Sequence, residues 1–129
     1  MTAALLIDTH ILLWMRRAPH RLTAGEQRTI DAARTVFVSI VSLWECAILM
    51  VLGRIGTDEQ LLDAPGGYDL LSITADHCKA VATLPLHHRD PFDRMLVAQA
   101  RSEHVPLLTR DRAVTAYGDH AAILRFPDP

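Results

Sequence analysis

His88–Ala100, HRDPFDRMLVAQA, decides how the chain is read, because it sets an acid on a segment otherwise built as a core helix. Asp90 suits a helix cap, Pro91 suits the first helical position, and the run from Phe92 onward is strongly helix-compatible. The helix is therefore expected to start at Pro91 and to end near His104. One turn beyond Asp93 come Leu96 and Val97, so its carboxylate shares a face with residues that seek the core. A carboxylate on such a face is costly unless something pairs with it. The partner must come from elsewhere in the chain.

Outward from this helix the chain alternates strands and helices. Ala3–Ile7 is a short continuous apolar run, as a buried parallel strand would be, and it stops at Asp8. A short helix over His10–Met15 follows, and Thr23-Ala-Gly-Glu26 has the spacing of a capping box that opens a helix to about Arg34. Val36–Ile40 is β-branched and strand-like, after which Ser42-Leu-Trp-Glu45 caps a helix running to Gly53. A shorter helix is expected over Gly56–Ala64, broken at Pro65–Gly67. Asp69–Ile73 is a third strand, Thr74–Leu84 a helix, and Pro85–Asp90 a loop rich in His and Arg. Val105–Thr109 is a fourth strand, Arg110-Asp111 begins a short helix, and Ala122–Phe126 is a fifth strand. The pattern predicts one α/β domain over residues 1–129, with a mostly parallel central sheet between two helical layers.

The totals narrow the function. With 129 residues, half of them hydrophobic, the chain can bury a core of its own. Thirteen basic residues against fifteen acidic ones give a slightly negative protein, unlike a duplex-DNA binder. Lys79 is the lone lysine, and five of the twelve arginines fall between Arg89 and Arg112. They form either a local phosphate-binding rim or ordinary solvated helix faces. Cys46 and Cys78 have neither disulfide density nor paired metal-ligand spacing, so both read as reduced, small apolar residues of a reducing compartment, and zinc is not expected. The N-terminal run lacks a basic segment and does not read as a secretory signal. The longest apolar run, Val36–Leu52, is interrupted by Ser39, Ser42 and Glu45, and a central acid would cost roughly 2.5–3.5 kcal/mol in a bilayer. A cytoplasmic protein without a membrane span is expected.

Four acids lie at element junctions: Asp8 after the first strand, Glu45 in the first turn after the second, Asp93 at the start of the organising helix, and Asp111 after the fourth strand. Strand ends in a parallel sheet share one edge, where such folds place their ligand crevice. Glu45 repeats the anomaly of Asp93, with Ile48 and Leu49 one turn on. Each acid also has a purely structural reading. Glu45 and Asp93 could close capping boxes with Ser42 and Asp90, Asp8 could cap the next helix, and first-turn acids favour the helix dipole. One shared cause explains all four together better than four separate ones. Two unit charges about 4 Å apart repel by roughly 4 kcal/mol at an effective dielectric of 20, so convergence calls for protonation or a cation. An oxygen-only donor set points to Mg²⁺ or Mn²⁺ with open positions for a phosphate, and hence to phosphodiester hydrolysis.

The chain resembles the PIN-domain ribonucleases, specifically the VapC-type toxins of bacterial toxin-antitoxin pairs. The resemblance rests on Leu5–His10 (LLIDTH), Ser42–Glu45 (SLWE), Leu84–Ala100 (LPLHHRDPFDRMLVAQA) and Leu108–Asp111 (LTRD), and spans nearly the whole length. It implies a three-layer α/β/α PIN-like domain and assigns the family's acidic quartet to Asp8, Glu45, Asp93 and Asp111. By resemblance these four bind Mg²⁺ or Mn²⁺ and position water for RNA cleavage, with Asp8 and Asp93 the most direct ligands, Asp111 a second ligand position, and Glu45 acting on or through water. Thr109 matches the hydroxyl residue that holds a carboxylate or water. Asp90 stays outside the quartet as a helix cap. The family further implies a homodimer and a small antitoxin whose tail covers the site.

His10, His87 and His88 are not expected to ligate, because Mg²⁺ prefers oxygen; His10 is expected to pack or hydrogen-bond behind Asp8. Trp14 and Trp44 read as core or dimer interface rather than base-stacking platforms. Arg89, Arg94, Arg110 and Arg112 are the candidates for RNA phosphate contact. Two other enzymes that use a strand-end Asp fit poorly. A haloacid-dehalogenase-like phosphatase needs a second Asp where this chain has His10, and a receiver domain needs a late Lys where the lone Lys79 is early. The rival from another class is a non-catalytic RNA- or protein-binding module on the same scaffold.

Overall fold

The computed structural model describes residues 3–63 and 67–128. Five strands, β1 (Ala4–Ile7), β2 (Thr35–Ser39), β3 (Asp69–Leu71), β4 (Leu107–Leu108) and β5 (Ile123–Leu124), form one sheet in the order β3-β2-β1-β4-β5. Every neighbouring pair is parallel, so the expected mostly parallel sheet is parallel throughout. The helices are α1 (Thr9–Arg17), α2 (Ala24–Ala32), α3 (Ile40–Val51), α4 (Glu59–Leu62), α5 (Ala75–Thr83) and α6 (Pro91–Glu103), with 3₁₀ turns at Pro19–Arg21 and Arg112–Tyr117.

Side-chain alternation along the strands sorts the helices into two layers. Leu5 and Ile7 of β1, Val36 and Val38 of β2 and Leu108 of β4 pack with Ile11, Leu12, Ile30, Cys46 and Leu61 on one face. Leu6 and Leu107 point the other way, to Leu84, Leu96, Val97, Val114 and Tyr117, with Phe37 packed alongside. Leu5, Leu6 and Ile7 are wholly buried, and each such burial stabilises by about 1.5–3 kcal/mol. This explains why β1 is apolar at successive positions: both of its faces are covered, giving the three-layer α/β/α arrangement.

The strand order places the site. From β1 the chain runs through α1 and α2 to β2 on one side, whereas β4, reached later through α5 and α6, pairs on the other side of β1. The direction of winding therefore reverses between β1 and β4, and a crevice opens at their C-terminal ends. Asp8 follows the last residue of β1, and Thr109 the last residue of β4.

Several boundaries differ from the sequence expectation for identifiable reasons. The cap of α3 is Ser39, whose Oγ accepts from the Val41 amide at 3.1 Å, not Ser42. The β-branched Ile40 and Val41 continue the strand pattern, but tertiary context turns them into the first helical residues. Glu45 is consequently one turn deeper in α3 than expected, and the capping-box explanation for it lapses. Asp8 caps α1, which starts at Thr9 and extends to Arg17. The Thr23–Glu26 capping box is present, as is the Asp90 cap of α6. Helix α6 ends at His104, whose φ of 55° is left-handed. The fourth strand is shorter than expected because Pro106 has no N–H to give the ladder. Within Gly56–Ala64 only Glu59–Leu62 is helical; Ala64, and Pro65 and Gly66 of the expected break, lie outside the described residues. Both cysteines are free thiols, Cys46 buried and Cys78 exposed. Among the described residues no helix is long and apolar enough to cross a membrane.

Candidate active site

Asp8 is held at the end of β1 by two donors. Its Oδ1 accepts from the Ile11 amide at 2.9 Å, the helix-cap bond, and its Oδ2 accepts from the Thr109 hydroxyl at 2.5 Å. Thr109 in turn accepts from the Asp111 amide at 3.0 Å, so one buried hydroxyl ties the carboxylate after β1 to the turn after β4. Asp111 caps the following 3₁₀ turn through Oδ1, which accepts from the Ala113 amide at 2.9 Å. The expectation that Asp8 caps a helix and the expectation that it faces a site are both compatible with this geometry, because a carboxylate accepts more than two bonds.

Glu45 reaches the same region from α3. Thr9, the residue after Asp8, donates its hydroxyl to Glu45 Oε1 at 2.6 Å and lies 3.1 Å from the buried Ser42 hydroxyl. Asp93 enters from the first turn of α6. Asp90 Oδ1 caps that helix, accepting from the Phe92 and Asp93 amides at 2.8 and 3.1 Å. Between Asp93 and Asp111 sits His88, its Nε2 2.9 Å from Asp93 Oδ2 and 3.4 Å from Asp111 Oδ2. Sequence reasoning set this histidine aside; its five-residue spacing from Asp93 was the available signal.

The electrostatics are those of a carboxylate cluster removed from water. Burial pushes the Asp93 carboxyl from its ordinary 3.8 up to about 7; the His88 hydrogen bond opposes the rise, and the charges of Asp90, Asp8 and Asp111 add to it. Burial likewise raises Asp8, against the bonds from Thr109 and Ile11 and the charge of His10, with Asp111 adding to the rise. Glu45 is raised by burial, against its bond from Thr9, and the charges of Asp90 and Asp8 push it further. Asp90 is thus more than a cap, since its charge acts on two of the quartet.

Each raised carboxyl holds its proton in the folded state at a pH where the unfolded chain has released it. The penalty for ionising Asp93 is absent below about 4, grows as pH rises, and is complete above about 7. The metal-free protein is therefore expected to melt at least about 4 °C lower at pH 8 than at pH 5, as measured by thermal unfolding in chelator. Equal melting temperatures would contradict this account of the cluster. Asp90→Ser keeps a good cap but removes one charge, and is expected to retain most of the cleavage activity that Asp93→Asn loses, as read in a parallel RNA assay.

The arginines divide. Arg94 donates to the Pro85, Val81 and Leu84 carbonyls and to the Tyr117 hydroxyl, at 2.8–3.3 Å, so its guanidinium is committed within the chain. Arg110 is committed too: it pairs with wholly buried Glu26, donates to the Arg21 carbonyl at 2.8 Å and lies 4.1 Å over the Trp14 ring. Burial alone would raise Glu26, but the Arg110 hydrogen bonds, the Thr23 amide and the Arg110 charge together hold it below its ordinary value. Glu26→Gln is expected to cost roughly 2–3 kcal/mol in a urea titration, because the arginine keeps its place and loses its charge partner. Arg89 is exposed, and Arg112 is 79% exposed with only a 3.5 Å contact to Asp128. His10 is exposed and tilted against Trp14, and its charge favours the ionised forms of Asp8 and Glu45. Trp14 packs on the core, whereas Trp44 is 59% exposed and meets the edge of Phe92.

Asp8, His10, Trp14, Arg110 and Asp111 line a pocket of about 230 Å³ at this edge. An all-parallel α/β sheet with acids gathered at its winding reversal defines the class of protein. The chain belongs to the PIN domain family, which it matches over residues 5–119. It is 26% identical over 123 residues to ribonuclease VapC22 of Mycobacterium tuberculosis, covering 87% of this chain and 90% of that protein. Its fold is shared with VapBC-5 of Mycobacterium tuberculosis, a member of the VapBC family of toxin-antitoxin systems, at a TM-score of 0.68 and 20% identity, over 96% of this chain and 99% of that one. DNA-bound VapBC from Salmonella typhimurium gives a TM-score of 0.68 at 13% identity, over 95% and 97% of the two chains.

Proposed function

We propose that the chain is a Mg²⁺- or Mn²⁺-dependent endoribonuclease and the toxin of a type II toxin-antitoxin pair. The observation that carries this reading is the meeting of Asp93, Asp111 and Asp8 at the ends of β1 and β4, with the Asp8 and Asp93 carboxyls raised by burial and by the neighbouring acids. The donor chemistry fits a hard divalent cation: carboxylate oxygens in a site short of positive charge, with no cysteine pair nearby. The likeness to a ribonuclease VapC and to VapBC complexes supports the same reading. A non-catalytic module on this scaffold would have no use for acids held in ionisation-resistant positions.

Asp8, Asp93 and Asp111 would hold the ion, and Glu45 would orient water. An ion held by these residues would supply Lewis-acid chemistry toward the phosphoryl oxygen and the attacking water. The rest falls to the protein. Thr109 fixes the Asp8 carboxylate and, through the Asp111 amide, its distance from the β4 turn. Thr9 fixes Glu45. Arg89 and Arg112 are the exposed cations left to meet RNA phosphates, while Arg94 and Arg110 brace the walls. A groove of about 340 Å³ between α3, α5 and α6, with Trp44, Leu86 and Phe92 among its walls, supports the homodimer reading. An antitoxin segment bearing a cation would suit the acidic pocket. Cytoplasmic action follows from an RNA substrate.

Induced synthesis of the chain in a bacterium is expected to arrest growth with accumulation of cut RNA, and synthesis of the Asp93→Asn chain to do neither. Arrest of equal depth by both chains would overturn the nuclease reading.

A further inference from the structure

The site contains a nitrogen donor that an oxygen-only reading does not use. One ligating atom each from His88, Asp93 and Asp111 lies within 4.8 Å of the others, and these three form a cation-competent group among the described residues. The two short separations are 2.9 Å from His88 Nε2 to Asp93 Oδ2 and 3.4 Å to Asp111 Oδ2. Adjacent ligands of an octahedral ion with bonds of about 2.1 Å stand about 3.0 Å apart, so one ion could take both carboxylates and the imidazole with small adjustments.

His88 is held in place before any ion arrives. Its amide donates to the Tyr117 hydroxyl at 3.1 Å, and that hydroxyl accepts from Arg94 Nη1 at 2.8 Å. Arg94 also donates to Pro85, Leu84 and Val81, which clamps the whole approach to His88. A pairing histidine at an exposed acidic rim would not need a five-bond arginine–tyrosine network, anchored on wholly buried Tyr117, to set its backbone. The clamp makes sense if the imidazole has a fixed target.

We propose that His88 is a direct nitrogen ligand of the ion held by Asp93 and Asp111, and that it tilts the site toward Mn²⁺ over Mg²⁺. This rests on the metal-site reading above. Imidazole binds first-row transition ions well, whereas Mg²⁺ strongly prefers oxygen, so one nitrogen in the set discriminates between the two without excluding either. Asp8, already held by the Thr109 hydroxyl, would complete the oxygen side, with Glu45 acting through water.

The test is binding and spectroscopy on the purified full chain, independent of cleavage. Electron spin-echo spectra of the Mn²⁺-loaded protein are expected to show coupling to a directly bound ¹⁴N, absent in His88→Ala and in His88→Gln. By calorimetry His88→Ala is expected to weaken Mn²⁺ binding by about 10–100-fold and Mg²⁺ binding by less than about threefold. Circular dichroism and thermal melts establish that both variants are folded, and the glutamine variant, which keeps a polar side chain of similar reach, guards against a packing defect. Tight Mn²⁺ binding with no ¹⁴N coupling would overturn the inference while leaving an oxygen-only metal site intact. Coupling that persists in His88→Ala would assign the nitrogen to another residue, and equally overturn it. Failure of the wild-type chain to bind either ion would sink the metal-site reading itself, and the inference with it.

Discussion

Asp93→Asn is expected to lower RNA cleavage by about a thousandfold or more, a loss of about 4 kcal/mol in transition-state stabilisation, while raising the melting temperature of the metal-free protein at pH 8. The two effects have one cause. Asp93 sits on the apolar side of α6, one turn from Leu96 and Val97, both buried, and is pushed up to about 7 by burial and by three neighbouring acids. The charged form is a burden on the folded chain at pH 8, and the amide removes it without changing shape. On the proposed reading it would also remove a metal ligand. Cleavage of a labelled RNA and thermal melting in chelator measure the two sides, and a variant that is inactive but less stable would mean that the carboxylate has a structural role. Both results together would mean that the ionised acid costs stability and is kept for its chemistry.

Arg94→Ala is expected to cost about 3–5 kcal/mol, the largest single-residue effect on folding foreseen outside the core. The guanidinium satisfies the carbonyls of Val81, Leu84 and Pro85 and the hydroxyl of Tyr117, a side chain with no exposed surface. Removing it leaves these acceptors facing a void and frees the loop that carries His88 and Asp90. Urea titration measures the loss. Arg94→Lys is expected to recover less than about half of it, because an ammonium cannot fork to acceptors on two sides. A cost below about 1 kcal/mol for the alanine variant would show that the clamp is dispensable, and would reopen Arg94 as an RNA contact.

Arg94 also marks where sequence reading stops. An arginine that binds RNA and one that binds main-chain carbonyls have the same letter and the same helical phase. What separates them is the path of Pro85–Asp90, which no periodicity encodes. His88 was set aside on the oxygen preference of Mg²⁺, and its contact with Asp93 could not be read because it depends on how the loop before α6 folds. The Ser39 and Ser42 alternatives are both good local caps, and the choice between them was made by the sheet, which ends β2 where its pairing with β3 ends. By contrast, β1 was legible because burial on both faces writes an uninterrupted apolar run, and the acids were legible because a carboxylate among Leu and Val has few cheap explanations. Asp90 was read correctly as a cap, but a cap's second oxygen carries charge to its neighbours, and only the folded site shows which neighbours those are.

The central claim is that carboxylates gathered at the ends of β1 and β4 cut RNA with a divalent ion. The most direct measurement is cleavage of a single-stranded RNA by the purified wild-type chain, stripped with chelator and then supplied with Mg²⁺ or Mn²⁺. The account predicts no cleavage in chelator, cleavage on adding either ion, and cleavage by Asp93→Asn slower by about a thousandfold or more with either ion. RNA cut equally well in chelator, or cut by Asp93→Asn at the wild-type rate, would contradict it.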